Sequence, residues 1–491
     1  MLWSALWIEG LRARPGLVAL AAAGAYALLW LLVTLVLFAA PPEALVRHLV
    51  AADAWRATGE GGLLAMGLSR LALRAGGVDG YYLLCAVAAV MSVWLVYILG
   101  RRMLGPALAG ASALMALAGL AIGGAPAFLA PDRLVLPLLL WLAWEAWRYV
   151  GEGHEAAAPY FAGAAGIALF ASWAGWGALA AALFLLLWTR EGRRALRRTD
   201  PVRPLVVAMT FLAPFAFWLG FHGFGQGVFG HRVELGSVLP LIAAVAVGLA
   251  AVALLWLLAS PLGDGARHDD APELRRGTLS PLATRFLSAF IGAPALLAFA
   301  GGVLGFAASM PGVLLAAMTV RLVAQRGERV GLHRRGAVAG LWLMCVVAPA
   351  VIAPAWMLTA PYMAARGADV SFPAQAIAGP IAAIVERRTG KPPAFIAGET
   401  VLAGTLALVS PGHPRILSVA EADPAGGPSA GPAGEGAVAV WRIEGPSGEP
   451  PAALRRRWPA LQPEAPVVVP WRMGGPLDPV RVGWALLPPA Q

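Results

Sequence analysis

Glu43, Asp53 and Asp132 are the acids of this chain best placed to do chemistry. Glu43 and Asp53 fall in a charged stretch from Pro41 to Gly80 that also holds Arg47, His48, Arg56, Glu60, Arg70, Arg74 and Asp79. Asp132 and Arg133 stand side by side between Pro131 and an apolar run that begins at Leu134. A glycine-rich segment, FHGFGQGVFGHRVELG, holds His222, His231, Arg232 and Glu234. A carboxylate can take the proton of a hydroxyl it hydrogen-bonds, and guanidinium forks suit phosphate oxygens. Each group also has a plainer reading. Glu43 and Asp53 fit solvated loop acids, Asp132 fits an interfacial anchor as well as a headgroup contact, and arginines snorkel to lipid without any catalytic role. The two histidines can be drawn as a metal or phosphate site, although a glycine-rich interfacial loop explains them better.

The elements that must position these groups are apolar segments long enough to cross a bilayer. Hydrophobic residues make up 59% of the 491 positions and charged residues 13%, which excludes a single soluble domain. About eleven spans are predicted, near 16–39, 81–99, 106–123, 134–150, 159–173, 175–189, 204–222, 237–259, 286–303, 305–321 and 337–360. The net charge of +10 is read against topology and not against nucleic acid. Arginine clusters fall on alternate loops: Arg12 and Arg14; Arg101 and Arg102; Arg193 to Arg203; Arg267 to Arg276; Arg326 to Arg335. By the positive-inside rule these loops are cytoplasmic. The loops 40–80, 124–133 and 222–236 and the tail from Tyr362 then face outward. Lys391 is the only lysine and alanine, glycine and proline are abundant, a bias of GC-rich bacterial genomes.

The expected organisation is an N-terminal transmembrane core over 1–259, a cytoplasmic linker over 260–285, further transmembrane helices over 286–361 and an external α/β domain over 362–491. Cys85 and Cys345 lie inside apolar segments as small packing residues. His268, Asp269 and Asp270 read as a solvated loop. Trp141, Trp144 and Trp147 recur at spacing three on one span, and Glu145 with Arg148 reads as a local ion pair. In the first outward loop Leu63, Leu64, Met66, Leu68, Leu71 and Leu73 recur at helical spacing, which predicts a helix lying in the interface. In the tail the expected order is helix 374–389, strand 394–396, helix 400–408, strand 416–419 and, after the flexible stretch 424–436, strand 437–443.

Several stretches carry a family resemblance. SVWLVYILGRRMLG (92–105), FLAPDRLVLPLLLWLAWEAWRY (128–149), ERRTGKPPAFIAGETVLAGTLALVSPGHPR (386–415) and the closing VVVPWRMGGPLDPVRVGWALLPP are similar, in this order and topology, to the polytopic glycosyltransferases of the family 39 type. These include protein O-mannosyltransferases and lipid A sugar transferases of the GT-C superfamily. The resemblance implies an α-helical polytopic membrane protein with a small periplasmic α/β domain, in the inner membrane of a bacterium, N-terminus cytoplasmic and C-terminus periplasmic. It implies inverting transfer of a sugar from a polyprenyl-phosphate donor to a lipid, glycan or protein acceptor at the periplasmic face. No prosthetic group is expected, no metal ligands are assigned, and a need for divalent metal is left open.

The first loop departs from the family pattern. Where family members open with Asp-Glu-Ala, this chain has Pro42, Glu43 and Ala44, and a later His-Pro-Pro-Leu is matched by Glu60, Gly61, Gly62 and Leu63. The aspartate that the resemblance would make catalytic is thus replaced, and either Glu43 or Asp53 substitutes; Glu43, just after the first span, is the better placed base, and Asp132 is a further catalytic candidate. Among the basic groups expected outside and near the membrane, Arg133 and Arg56 are the expected phosphate contacts, with His231 and Arg232 of the third outer loop as further candidates. The alternative is an inactive relative, an assembly or lipid-binding subunit that meets a protein partner through the external domain. The partners expected on either reading include membrane lipids and exclude nucleic acid.

Overall fold

The computed structural model describes residues 9–53, 62–171, 173–227, 238–258, 279–303, 312–325, 335–363, 367–418, 437–443, 448–459, 461–473 and 475–487. The chain divides into two compact units. One comprises Met1–Leu31, Arg56–Ser69 and Tyr82–Val351, and the other Leu32–Trp55, Arg70–Tyr81 and Ile352–Gln491. Part of the predicted first outer loop thus folds with the C-terminal residues.

A helix lies over every predicted apolar segment: Pro15–Leu32, Gly62–Leu104, Pro106–Ala121, Pro131–Ala146, Ala158–Leu169, Trp173–Trp188, Val202–Gly227, Val238–Leu258, Pro281–Val303, Gly312–Gln325 and Arg335–Met363. By length and composition, four stretches among the described residues can cross a membrane unaided: Pro15–Leu37, Gly62–Leu104, Pro281–Ala300 and Gly336–Met363. Arg190–Arg198 and Val202–Trp218 form a pair bent by 103° at a short break, a broken span or a re-entrant element. Pro106–Ala121, Pro131–Ala146, Ala158–Leu169, Trp173–Trp188 and Gly312–Gln325 are shorter than the roughly 20 residues that a perpendicular crossing needs. The Gly62–Leu104 helix breaks at Gly76 and Gly77, and Gly77 takes a φ of 62° that other residues resist. The amphipathic stretch predicted in the first loop is the segment before this break.

The membrane-type unit packs through small residues and indole donors. A Cβ on Gly119 would stand 2.8 Å from Val252 Cγ2 and 2.9 Å from Leu315 Cδ2, so three helices meet where no side chain fits. Trp342 donates to the Leu114 carbonyl and Trp256 to that of Leu322, each at 2.8 Å. Glu145 and Arg148 form the expected pair, with both carboxylate oxygens 3.0 Å from Nη1, and Trp141 donates to the same carboxylate at 3.2 Å. Large apolar side chains such as Leu17, Leu28, Phe217 and Phe299 are exposed, a surface suited to lipid and not to water.

The other unit is built on a five-stranded sheet of order β2-β1-β3-β5-β4, where β1 is Phe395–Gly398, β2 Arg415–Ser418, β3 Ala437–Arg442, β4 Val467–Val469 and β5 Val480–Leu486. β1 runs parallel to both β2 and β3, while β5 is antiparallel to β3 and β4. β1 is buried at all four positions, as expected of the central strand of a parallel run. Helices Ala374–Thr389 and Thr400–Val409 cover one face through Ile377, Ile381, Val385, Leu402 and Leu406, which pack with Ile396, Val438, Val440 and Trp484. On the other face Trp441 packs with Leu454 and Ala485.

Candidate functional site

The chain leaving the first apolar helix is held by backbone and arginine contacts before it reaches Glu43. A π-helical turn, Val33–Leu37, ends that helix. Ala39 and Ala40 then donate to the Val370 carbonyl at 2.7 and 3.2 Å, and Arg472 donates to the carbonyls of Val36 at 2.8 Å and Phe38 at 3.5 Å. Pro41 and Pro42 follow, and the Pro42 carbonyl accepts from Val46 N–H at 2.9 Å. Proline suits this place because its φ is preset and its missing N–H would have no partner in the first helical turn. The helix Glu43–Asp53 therefore starts at a defined point, with Glu43 in its first turn and paired with Arg47 one turn on.

Glu43 lines a cavity of about 510 Å³ within this unit. Asp369, Glu399 and Asp478 contribute three more carboxylates to its wall, and Arg442, Phe372 and Trp471 close other sides. Glu399 follows the last residue of β1 and is the N-cap of the Thr400–Val409 helix, while Arg442 ends β3. Because β1 and β3 are parallel, with Gly398 opposite Val440, both residues fall at the carboxyl end of the parallel strands. That edge is where open α/β sheets receive ligands, since the strands stop there and loops diverge. Trp471 meets Phe372 edge-on at 6.0 Å, and the Arg442 guanidinium stands 5.8 Å from the Phe372 centroid. A wall with four carboxylates and, among the described residues, one guanidinium suits hydroxyl-bearing or cationic groups better than phosphate. Each carboxylate can accept a hydroxyl proton.

The remaining sequence candidates are placed differently. Asp53 ends the same helix and lies 3.9 Å from Arg70 Nε in an ion pair, about 15 Å from Glu43 by helical rise. It does not line the Glu43 cavity. Asp132 and Arg133 lie in the membrane-type unit, in the first turn of the Pro131–Ala146 helix, where an acid is favoured by the helix dipole. Arg133 reaches the Leu120 carbonyl at 3.5 Å, near the end of the preceding long helix. Beside them Phe128 stacks on Trp30 at 5.7 Å and meets Tyr26 edge-on at 5.9 Å. Arg56, His231 and Arg232 lie outside the described residues, as do Glu60, Glu234 and most of the 260–285 linker. Among the described residues no three His, Cys, Asp or Glu side chains converge closely enough to hold a metal ion.

His48, one turn past Ala44, is buried, and loss of solvation pushes its imidazole down to about 4. It is a neutral part of the packing that fixes the Glu43 helix. Asp369, Glu399, Arg442 and Asp478 were not among the sequence candidates. A signal for Glu399 did exist in the Ala-Gly-Glu that ends a predicted strand and opens a helix; nothing in the linear order marks the other three.

Comparison with known proteins bears out the resemblance to GT-C glycosyltransferases. Residues 70–218 match the family model described as dolichyl-phosphate-mannose-protein mannosyltransferase. Asp132 and Arg133 fall inside that match, and Glu43 lies before it. The fold is similar to that of ArnT from Cupriavidus metallidurans in its crystal structure bound to undecaprenyl phosphate, with a TM-score of 0.50 and 14% identity, over 96% of this chain and 98% of that one. No curated protein matches the chain.

Proposed function

We propose that this protein is an inverting membrane glycosyltransferase that passes a sugar from a polyprenyl-phosphate donor to an acceptor hydroxyl on the periplasmic side of a bacterial inner membrane, with Glu43 as the proton acceptor. The observation that carries this reading is the position of Glu43, at a defined helix start and on the wall of a cavity of about 510 Å³. The family match over 70–218 and the fold shared with a protein bound to undecaprenyl phosphate support the donor class.

In the proposed step the acceptor oxygen forms a bond to the anomeric carbon on the face opposite the leaving group. The bond from that carbon to the donor phosphate oxygen breaks, and its electron pair leaves with polyprenyl phosphate. The acceptor proton passes to Glu43, which needs only a hydrogen bond to the hydroxyl and a pathway to give the proton up afterwards. Arg133, Arg56, His231 and Arg232 are proposed to meet the growing phosphate charge, a role that guanidinium groups fill through paired N–H donors. The non-catalytic alternative rests on Pro42 standing where the family has aspartate. The neighbouring carboxylate at a cavity weighs against it.

The test uses the full-length protein purified in mild detergent and supplied with a panel of polyprenyl-phosphate sugars and of hydroxyl acceptors. Release of polyprenyl phosphate should be rapid in the wild type and about 10²- to 10⁴-fold slower in Glu43→Gln, the range of a lost general base. Binding of undecaprenyl phosphate should be unchanged in the variant. Equal turnover in both proteins would remove Glu43 from the chemistry, and absence of turnover with every sugar donor tried would favour the non-catalytic subunit.

A further inference from the structure

The Arg190–Arg198 helix, REGRRALRR, packs five arginines and one acid into nine residues. With 3.6 residues per turn, Arg190, Arg193, Arg194, Arg197 and Arg198 fall within an arc of about 140°, and all five are exposed. Gly192 and Ala195 fall on the opposite side and are buried.

This stripe is rigidly mounted. Thr189 caps the helix by accepting from Gly192 N–H at 3.0 Å. Gly192 lies so close to the preceding helix that a Cβ would stand 2.4 Å from the carbonyl oxygens of Leu185 and Leu186. At the far end Thr199 accepts from the Tyr149 hydroxyl at 3.0 Å. Arg193 donates to the carbonyls of Leu187 and Trp188 at 3.2 and 3.3 Å, which satisfies the end of the apolar helix. The next helix departs at 103°. The arginine helix thus forms an elbow between two apolar helices.

Large apolar side chains flank the stripe. Trp188 is 74% exposed, Val202 61% and Leu205 60%. A bilayer boundary supplies hydrocarbon, an interfacial position for the indole and phosphate oxygens for the guanidinium groups within a few ångströms of one another. A soluble acidic partner would neutralise the arginines and leave the apolar flank uncovered.

We propose that the Arg190–Arg198 helix binds the headgroups of anionic phospholipids. Arg190, Arg194, Arg197 and Arg198 supply the contacts to phosphate, and Arg193 holds the elbow. None of these arginines lines the Glu43 cavity, and the proposal does not depend on the transferase reading.

The full-length protein should be reconstituted in vesicles of equimolar phosphatidylglycerol and phosphatidylcholine, gently extracted, and its retained lipid measured by mass spectrometry. Phosphatidylglycerol should be enriched on the wild type. In R190Q/R194Q/R197Q/R198Q the enrichment should fall about tenfold, a conservative figure for four arginines near an anionic surface. The double variant R197Q/R198Q should lose part of it. R455Q/R456Q/R457Q, which removes three arginines from elsewhere in the chain, should retain the enrichment in full. Undiminished enrichment in the quadruple and double variants, or an equal loss in the R455Q/R456Q/R457Q control, would overturn the proposal.

Discussion

Gly404 lies against Val50 so closely that no side chain could replace its hydrogen: a Cβ would stand 2.6 Å from Val50 Cγ2, and 2.8 Å from Cγ1 of Val46 on the same helix. The Thr400–Val409 helix, whose N-cap is Glu399, thereby sets the position of the helix that begins at Glu43. Valine is stiff about χ1 and has no slack with which to yield. Gly404→Val is expected to destabilise this unit by about 1–3 kcal/mol, the usual range for overpacking. It should also displace Glu43 from its cavity. Thermal unfolding and turnover should both fall, while Gly379→Ala, where no atom lies within 4 Å of the added Cβ, should leave turnover unchanged.

Glu399 is expected to bind and not to transfer protons. It stands at the strand end on the cavity wall, and its carboxylate can accept hydrogen bonds from an acceptor's hydroxyls. Glu399→Gln should raise KM for the acceptor about tenfold, matching a hydrogen bond to a charged group, with kcat nearly unchanged. A loss confined to kcat would transfer the base assignment from Glu43 to Glu399.

Acid should loosen the Glu43 helix through His48. Its folded-state value of about 4 lies below the ordinary 6.5, so the unfolded chain binds the additional proton between those values. The sign follows: stability is complete above about pH 6.5 and is lost as pH falls toward 4, by on the order of 3 kcal/mol at the acid end. Denaturation of wild type and His48→Leu over this window should give a steeper pH slope in the wild type. Parallel curves would mean that His48 protonates without cost.

Topology offers an independent check on the proposed face. Alkaline phosphatase fused after Gln491 should be active, because the tail is expected outside, whereas a fusion within the 193–203 arginine cluster should be inactive. The opposite pattern would place the Glu43 cavity on the cytoplasmic side and exclude a periplasmic acceptor.

Much of the architecture could be read from contiguous residues. Apolar runs become helices because backbone groups removed from water must bond within their own segment, and this depends on neighbours in the chain. The strands Phe395–Gly398 and Ala437–Arg442 were likewise visible within a residue or two, since short β-branched and apolar runs between turns leave a local mark. The pair Glu145 and Arg148 was legible for the same reason, being one helical turn apart.

Site membership was not local in this sense. Asp53, ten residues from Glu43, is carried by helical rise to the other end of its helix and to Arg70. Asp369, Glu399, Arg442 and Asp478, all far away in sequence, line the cavity at Glu43. Local order along the chain is enough to give a membrane-spanning helical chain, a small α/β domain and an acid beside Pro42. Which acids share a cavity follows from long-range packing, because it depends on parallel pairing of β1 with β3 and on the close approach permitted by Gly404, and neither is encoded in residue spacing.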